Sequence, residues 1–392
     1  MKKRIGIFGS TGSVGTQTLV VIDEQHEFFS VEVLTAFNNA DLLIQQAIKY
    51  LPNAVVIGNS THYSKVRDAL SNYDIKVYAG EEAICQIMEM STIDIVLMGI
   101  VGFGALKPIL AALQNKKKIA LANKESLVVA GQIISKTAIE NNTQIIPVDS
   151  EHSAIFQCLM GEYDNPIEKI VLTASGGPFR DKDINYLKNA TPAEALQHPN
   201  WKMGKRVSID SATMMNKGLE AIEAHWLFNI PPSDIEIIIH PQSVIHSLVY
   251  FTDKSVKTLL SFPDMRIPIQ FALSYPQRLA SSFPNLDLLK IKTLNFESPD
   301  VKKFRNLALA FKAMEIGGNM PCILNAANDI AVQAFLTEKI GFQQIPDIVE
   351  KSMQIIPHIK KAVLTDYFET DKITRIKAKE LVKSYKVKSI KL

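Results

Sequence analysis

A chain of 392 residues, 47% hydrophobic and 21% charged, has the composition of an ordinary globular protein long enough for two or three domains. Its net charge of +3 is too small, at this length, to make nucleic acid or an anionic membrane the main partner. No apolar run approaches the roughly 20 residues that span a bilayer, and MKKRIGIFGSTGSVG reaches glycines before any long apolar stretch, so a cytoplasmic protein is expected.

The first 150 residues alternate β-branched runs with amphipathic stretches. Strands are predicted at 4–8, 31–36, 54–58, 75–79, 94–99, 118–122 and 144–148, with helical patterns such as 39–50 and 126–139 between them. This alternation predicts an α/β domain with a parallel sheet covered on both faces. GSTGSVG (9–15) leaves the first strand and opens a helix near Ser13. Gly9, Gly12 and Gly15 allow a tight turn against a diphosphate, and the helix N-terminus offers N–H donors. The spacing is GxxGxxG rather than GxGxxG, but strand, turn and helix follow in the order that a dinucleotide-binding domain needs. The second strand ends in Phe37, Asn38 and Asn39. The missing acid favours NADP over NAD, and the missing Lys or Arg limits that preference. GIVGFG (99–104) is a second glycine-rich turn at a strand's carboxyl end.

ALANKESLV (120–128) places Asn123, Lys124 and Glu125 beyond another strand, as a turn with a helix cap or as site residues. IIPVDSEHSAIF (145–156) then breaks an apolar run with Asp149, Ser150, Glu151 and His152. Taken alone, this reads as an N-cap with acids in a first helical turn. In extended geometry Asp149 and Glu151 also point the same way, as two carboxylates on a hard divalent cation would. A third carboxylate is available in RVSIDSATMMNKGLEAIEAHWLF (206–228), where Asn216 and Glu220 share a helix face and Lys217 lies three before Glu220. Gly218 costs such a helix about 1 kcal/mol, so the stretch serves more than local stability. An exposed Lys217–Glu220 pair is the plainer reading.

Between these stretches, Ser175-Gly176-Gly177 can cup a phosphate with successive N–H groups, and Ser208 and Ser211 precede the helix. LQHPNWKMGKR (196–206) sets His198, Trp201 and Met203 in a polar loop of the kind that closes over ligands. Strand-like runs at 167–174, 235–240, 243–251 and 256–262 predict an α+β segment with some antiparallel sheet, in which His240 and His246 read as buried, bonded histidines. Residues 277–300 read as an irregular linker and 301–392 as helical. In the tail, Lys372, Arg375, Lys377, Lys379, Lys383, Lys386, Lys388 and Lys391 face only Glu380, the solvated side of a helix.

GSTGSVG, LANKESLV, PVDSEHSA, TASGGPFR, HPNWKMG, SATMMNKGLEAIEA and HPQSVIHS, in this order, resemble the 1-deoxy-D-xylulose 5-phosphate reductoisomerase family, and NAANDIAV (325–332) resembles its helical C-terminal domain. The resemblance implies a Rossmann-like NADP-binding domain (1–149), a catalytic α+β domain (150–276) with a lid at about 180–206, a linker (277–300) and a helical domain (301–392). It implies that Asp149, Glu151 and Glu220 bind Mg²⁺ or Mn²⁺, and that Ser175, Ser211, Asn216 and Lys217 grip a substrate phosphate. Ser150, Lys124 and His198 would surround the carbonyl and hydroxyls, with Glu151 and Glu220 also touching substrate and Trp201 and Met203 on the lid. Gly9, Ser10, Thr11, Gly12, Ser13, Val14, Asn39, Asn123, Glu125, Met203 and Gly204 would contact NADPH. Lys124, Asp149, Glu151, His198 and Glu220 would carry the catalysis.

The implied reaction is rearrangement of 1-deoxy-D-xylulose 5-phosphate, by retro-aldol and aldol steps, and reduction to 2-C-methyl-D-erythritol 4-phosphate. It belongs to non-mevalonate isoprenoid synthesis, in a typically homodimeric enzyme. The chain departs from the family at Phe37-Asn38-Asn39, where Gly-Lys/Arg-Asn is common, at Ala105 for glycine and at Asp329 for glutamate. The rival readings are a semialdehyde dehydrogenase and a non-enzymatic NADP-sensing module. The first needs a nucleophilic cysteine, whereas Cys85, Cys158 and Cys322 lie apart among apolar neighbours, as buried thiols in a reducing compartment do.

Overall fold

The computed structural model describes residues 2–197, 201 and 204–389. Seven strands come first: β1 (Lys3–Phe8), β2 (Phe29–Ala36), β3 (Ala54–Ile57), β4 (Lys76–Ala79), β5 (Ile95–Met98), β6 (Lys118–Leu121) and β7 (Ile145–Pro147). A helix follows each in turn: α1 (Ser13–Glu24), α2 (Ala40–Tyr50), α3 (Tyr63–Ala69), α4 (Glu81–Gln86), α5 (Leu106–Gln114), α6 (Lys124–Glu140) and α7 (Ser150–Cys158). All seven strands lie where the β-branched runs predict them. They form one parallel sheet in the order β4-β3-β2-β1-β5-β6-β7. Ile5, Ile7, Leu34, Val55, Ile57 and Leu97 are fully buried, as a sheet covered on both faces requires. The order reverses between β1 and β5, the switch point at which open α/β sheets bind ligands.

A second sheet holds β8 (Ile167–Ala174), β9 (Ile235–Ile239), β10 (Ile245–Phe251) and β11 (Val256–Leu260) in the order β11-β10-β8-β9. Only β8 and β9 run parallel; the other two pairings are antiparallel. Between β8 and β9 come α8 (Ile184–Leu187), α9 (Pro192–Ala195), α10 (Lys205–Ala212) and α11 (Met215–Phe228). Ser208 and Ser211, read from sequence as leading into one helix, sit in α10, a helix of their own. The break falls at Met214, in the left-handed region at φ 59° with no glycine or proline to announce it. After β11 come α12 (Arg266–Ser274), α13 (Leu288–Ile291), α14 (Arg305–Ile316), α15 (Met320–Leu336), α16 (Gln344–Ile355) and α17 (Leu364–Ser389). α15 is apolar nearly all round and buried against α14, α16 and α17. Lys372, Lys377, Lys379 and Lys383 of α17 face solvent as expected, but Arg375 is half-buried in ion pairs.

The chain forms two compact units, neither continuous in sequence. The first takes residues up to Ser126, Ile134–Phe156 and Asp264–Asn285; the second takes Leu127–Ile133, Gln157–Pro263 and the chain from Leu286. The stretch 264–285, expected from sequence to straddle a catalytic segment and a linker, thus completes the first unit. Its Ile269, Ala272, Leu273 and Phe283 share a core with Ile5, Ile7, Leu19 and Ile22. Gln25 Nε2 donates to the Ala280 carbonyl at 2.6 Å, and Lys3 Nζ reaches the carbonyls of Leu273 and Ser274 at 3.2 and 3.3 Å, where a helix carboxyl end favours a cation. Among the described residues, no helix is long and apolar enough to cross a membrane.

Candidate active site

In the first unit, the turn after β1 is held from within. The Ser10 N–H donates to the Thr35 carbonyl at 2.8 Å, and Ser10 Oγ meets Gln46 Oε1 at 2.7 Å. Ser10 is 0% exposed, and its side chain braces the loop against β2 and α2. A Cβ on Gly15 would stand 2.3 Å from the Gly9 carbonyl, so turn and helix meet at a distance only glycine allows. Gly12 and Ser13 are left exposed at the N-terminus of α1, with Thr11 and Val14 half-buried beside them. That cradle fits a diphosphate. The Asn39 Oδ1 accepts from Leu42 N at 3.2 Å as the N-cap of α2, and Asn38 Oδ1 accepts from Asn59 Nδ2 at 3.0 Å.

β6 and β7 are neighbours in register, Leu121 opposite Pro147, so the residues just beyond both ends come together. Asn123 caps α6. Its Oδ1 accepts from Ser126 N at 3.0 Å, and its Nδ2 donates to the Ile100 and Gly102 carbonyls and Glu125 Oε2 at 2.9, 3.0 and 2.9 Å. Its side chain, 2% exposed, therefore ties the GIVGFG turn to α6. Lys124 pairs with Asp149 at 2.5 Å, both side chains largely buried. The Ser153 N–H donates to the Asp149 carbonyl at 2.8 Å, making Asp149 the first residue of α7's hydrogen-bond ladder, and Ser150 Oγ donates to Glu151 Oε2 at 2.6 Å. Asp149 thus opens the helix through its carbonyl while its carboxylate lies on Lys124.

In the second unit, Glu220 is 1% exposed and takes hydrogen bonds from Asn216 on one oxygen and Lys217 on the other. The helical spacing read from sequence produces this trio, but the Lys217–Glu220 pair is buried, not exposed. A Cβ on Gly218 would lie 2.4 Å from Ala310 Cβ, so that glycine is the point where α11 touches α14. Gly177, at φ 69°, packs its Cα on the Ser211 carbonyl, where a Cβ would stand 2.7 Å away; the Ser175 turn and the end of α10 are therefore joined. Ser175 Oγ accepts from Gly177 N at 3.2 Å. Trp201 stands edge-on to His246, ring centres 6.4 Å apart, and Gly204 is the N-cap of α10. His198 and Met203 lie outside the described residues. Sequence reading passed over Arg206, for which the i, i+4 spacing of Arg206 and Asp210 was the available signal.

Comparison with known proteins decides the family. Profiles described as 1-deoxy-D-xylulose 5-phosphate reductoisomerase, its C-terminal domain, and DXP reductoisomerase C-terminal domain match residues 5–131, 145–228 and 260–377. A 1-deoxy-D-xylulose 5-phosphate reductoisomerase of Bacteroides fragilis is 55% identical over 381 residues, 97% of this chain and 98% of the relative. The chain belongs to the 1-deoxy-D-xylulose 5-phosphate reductoisomerase family. A reductoisomerase from Zymomonas mobilis, solved in complex with NADPH, matches with a TM-score of 0.92 and 41% identity over 98% of this chain and 100% of that one. Another, in complex with NADPH, fosmidomycin and magnesium, matches at 0.94 and 39% over 98% and 99%.

Membership in the reductoisomerase family makes the chain an oxidoreductase and removes the sensing module. The cysteines dispose of the dehydrogenase rival. Burial pushes the Cys158 thiol up to about 11 and raises Cys85 and Cys322 as well, the reverse of an activated nucleophile.

Proposed function

We propose that the chain converts 1-deoxy-D-xylulose 5-phosphate to 2-C-methyl-D-erythritol 4-phosphate with NADPH and a divalent cation, using the residues assigned above. Reductoisomerase relatives bind NADPH, and magnesium with fosmidomycin, and the residues here fit both groups: a glycine cradle at a helix N-terminus, and carboxylates whose hard oxygens suit Mg²⁺ or Mn²⁺. The observation that carries the reading is the buried Glu220 held by Asn216 and Lys217, on a helix whose Gly218 packs against Ala310.

Asp149, Glu151 and Glu220 are the proposed cation ligands. When bound, the cation supplies polarisation of the carbonyl and acidification of the neighbouring hydroxyl, and NADPH supplies the hydride. Lys124, already on Asp149, orients that carboxylate and offers an ammonium near the substrate oxygens. Ser175, Ser211, Asn216 and Lys217 bind the phosphate, a group remote from the reacting carbons whose binding energy fixes their geometry. Ser150 and His198 hold the hydroxyls, and Trp201 and Met203 exclude water. Thr11, Gly12, Ser13, Val14, Asn39, Glu125 and Gly204 line the NADPH path, with Ser10 and Asn123 supporting it. The functional division at 1–149, 150–276, 277–300 and 301–392, a cytoplasmic location and a homodimer complete the proposal. Light scattering of the purified protein tests the dimer.

The experiment follows NADPH oxidation with 1-deoxy-D-xylulose 5-phosphate, with and without divalent metal. Asp149→Asn and Glu220→Gln are expected to lower turnover roughly a hundredfold or more while NADPH still binds. Undiminished turnover in excess chelator would falsify the metal assignment.

A further inference from the structure

α10 is eight residues long, too short to hold itself together, and its N-cap Gly204 makes no side-chain cap bond. Its position must come from tertiary contacts. Ile209 and Ala212 supply buried apolar surface, but the polar contacts are more directional. Arg206 extends from α10 to α15, where its Nη2 donates to Asn325 Oδ1 at 3.0 Å and its Nη1 pairs with Asp329 at 3.3 Å. One turn later, Asp210 is 3.6 Å from the Arg206 guanidinium and accepts from Asn328 Nδ2 at 2.7 Å. Asp329 is shared: Arg375 of α17 pairs with it at 2.6 Å and with Asp371 at 2.7 Å. Positive and negative groups therefore alternate from α10 through α15 to α17. The Arg206 and Asp210 side chains are only 17% and 5% exposed, and a planar guanidinium with several donors fixes direction as well as distance.

In the last turn of α10 the Ser211 carbonyl carries Gly177 and the Ser175 turn. Moving α10 would move two of the four groups assigned to the substrate phosphate. We propose that Arg206 is a positioning residue for phosphate recognition: by clamping α10 to Asn325 and Asp329 of α15 it sets the placement of Ser211 and, through Gly177, of Ser175. The helical C-terminal segment thereby tunes substrate affinity through α10. This inference rests on the phosphate role proposed for Ser175, Ser211, Asn216 and Lys217.

The test compares Arg206→Met, which keeps the aliphatic stem and helix propensity but removes the guanidinium, with Arg206→Lys, Ser211→Ala and Lys217→Ala. Measured for each are KM for 1-deoxy-D-xylulose 5-phosphate, inhibition by inorganic phosphate, kcat, NADPH affinity by fluorescence titration, and Tm. Arg206→Met is expected to raise substrate KM about tenfold and weaken phosphate inhibition in parallel, with NADPH affinity falling much less, because α10 carries Gly204 alone of the groups assigned to NADPH. Arg206→Lys should recover part of both losses. If Ser211→Ala and Lys217→Ala raise KM but Arg206→Met does not, the positioning inference is wrong and the phosphate assignment stands. If Ser211→Ala and Lys217→Ala leave KM unchanged, the phosphate assignment itself fails. An Arg206→Met that weakens NADPH and phosphate equally marks Arg206 as a general stabiliser and overturns the inference. Should that variant not fold, Asn325→Leu, which removes one arm of the clamp, is read against the same outcomes.

Discussion

At the scale of single residues, the site depends on which atoms are already engaged. Ser10 and Asn123 belong to stretches that resemble cofactor-binding loops, yet their side chains are spent on Gln46 and on Ile100, Gly102 and Ser126. Residue type and spacing mark a position; they do not reveal which way its hydrogen bonds run, because that depends on segments such as α2 and the GIVGFG turn, distant in sequence. Cys158 shows the same dependence on surroundings. Burial alone keeps its thiol protonated up to about 11, against about 8.5 when unfolded. The raised value means a contribution to stability that is complete below the unfolded pKa and fades as pH rises from about 9 toward 11. Iodoacetamide should label Cys158 slowly at pH 8 in the native protein, and Cys158→Ser should keep wild-type turnover. Rapid native labelling would contradict its burial.

At the scale of elements, the strands were legible and the helix junctions less so. A parallel strand buried on both faces needs a continuous apolar run, which announces the inner strands; β4, at the sheet's edge and partly open to solvent, shows instead as alternation. The break between α10 and α11 did not, since Met214 takes a left-handed backbone without the usual glycine. The tight crossing of α11 and α14 was half-visible: Gly218 stood out as a costly helix residue, but Ala310, its partner, could not be named. Gly218→Ala should push Ala310 away and cost about 1–3 kcal/mol, read as a lower Tm, with substrate KM rising because Asn216 and Lys217 ride on the same helix. An unchanged Tm would mean the two helices separate freely. The short α9 offers a pH handle. Its capping box, Thr191 with Glu194, is reinforced by the Tyr186 hydroxyl, and these hydrogen bonds hold the Glu194 carboxyl down to about 2. A depressed carboxyl stabilises above its unfolded value, about 4.3, and that support drains away as pH falls toward 2. Protection factors across 183–196, taken relative to the intrinsic exchange rate at each pH, should therefore fall in that window ahead of those of the sheets; a uniform fall everywhere would argue against the cap.

For the molecule as a whole, the order of motifs was readable and the grouping of segments was not. α12 carries an amphipathic pattern like any other helix, and nothing in RIPIQFALS says that its apolar face belongs with Leu19 and Ile22 rather than with the sheet just before it. Long-range packing of this kind has no local sequence signal. A fragment ending at residue 156 should accordingly fail to show a cooperative thermal transition or to bind NADPH. Joining 264–285 to it through a flexible linker should restore both; a fragment that folds without the graft would show α12 to be dispensable.

The same threading sets a timetable for synthesis. The first sheet is complete in sequence by Pro147, but the helix that closes its apolar face is encoded more than a hundred residues later. At translation rates of about 5–20 residues per second, the ribosome works for on the order of ten seconds before that helix emerges. Throughout that interval Ile5, Ile7 and Leu19 lack one wall of their core while the entire second sheet is being made. A nascent chain in that condition is a client for chaperones, and slow codons between 156 and 264 would lengthen its exposure.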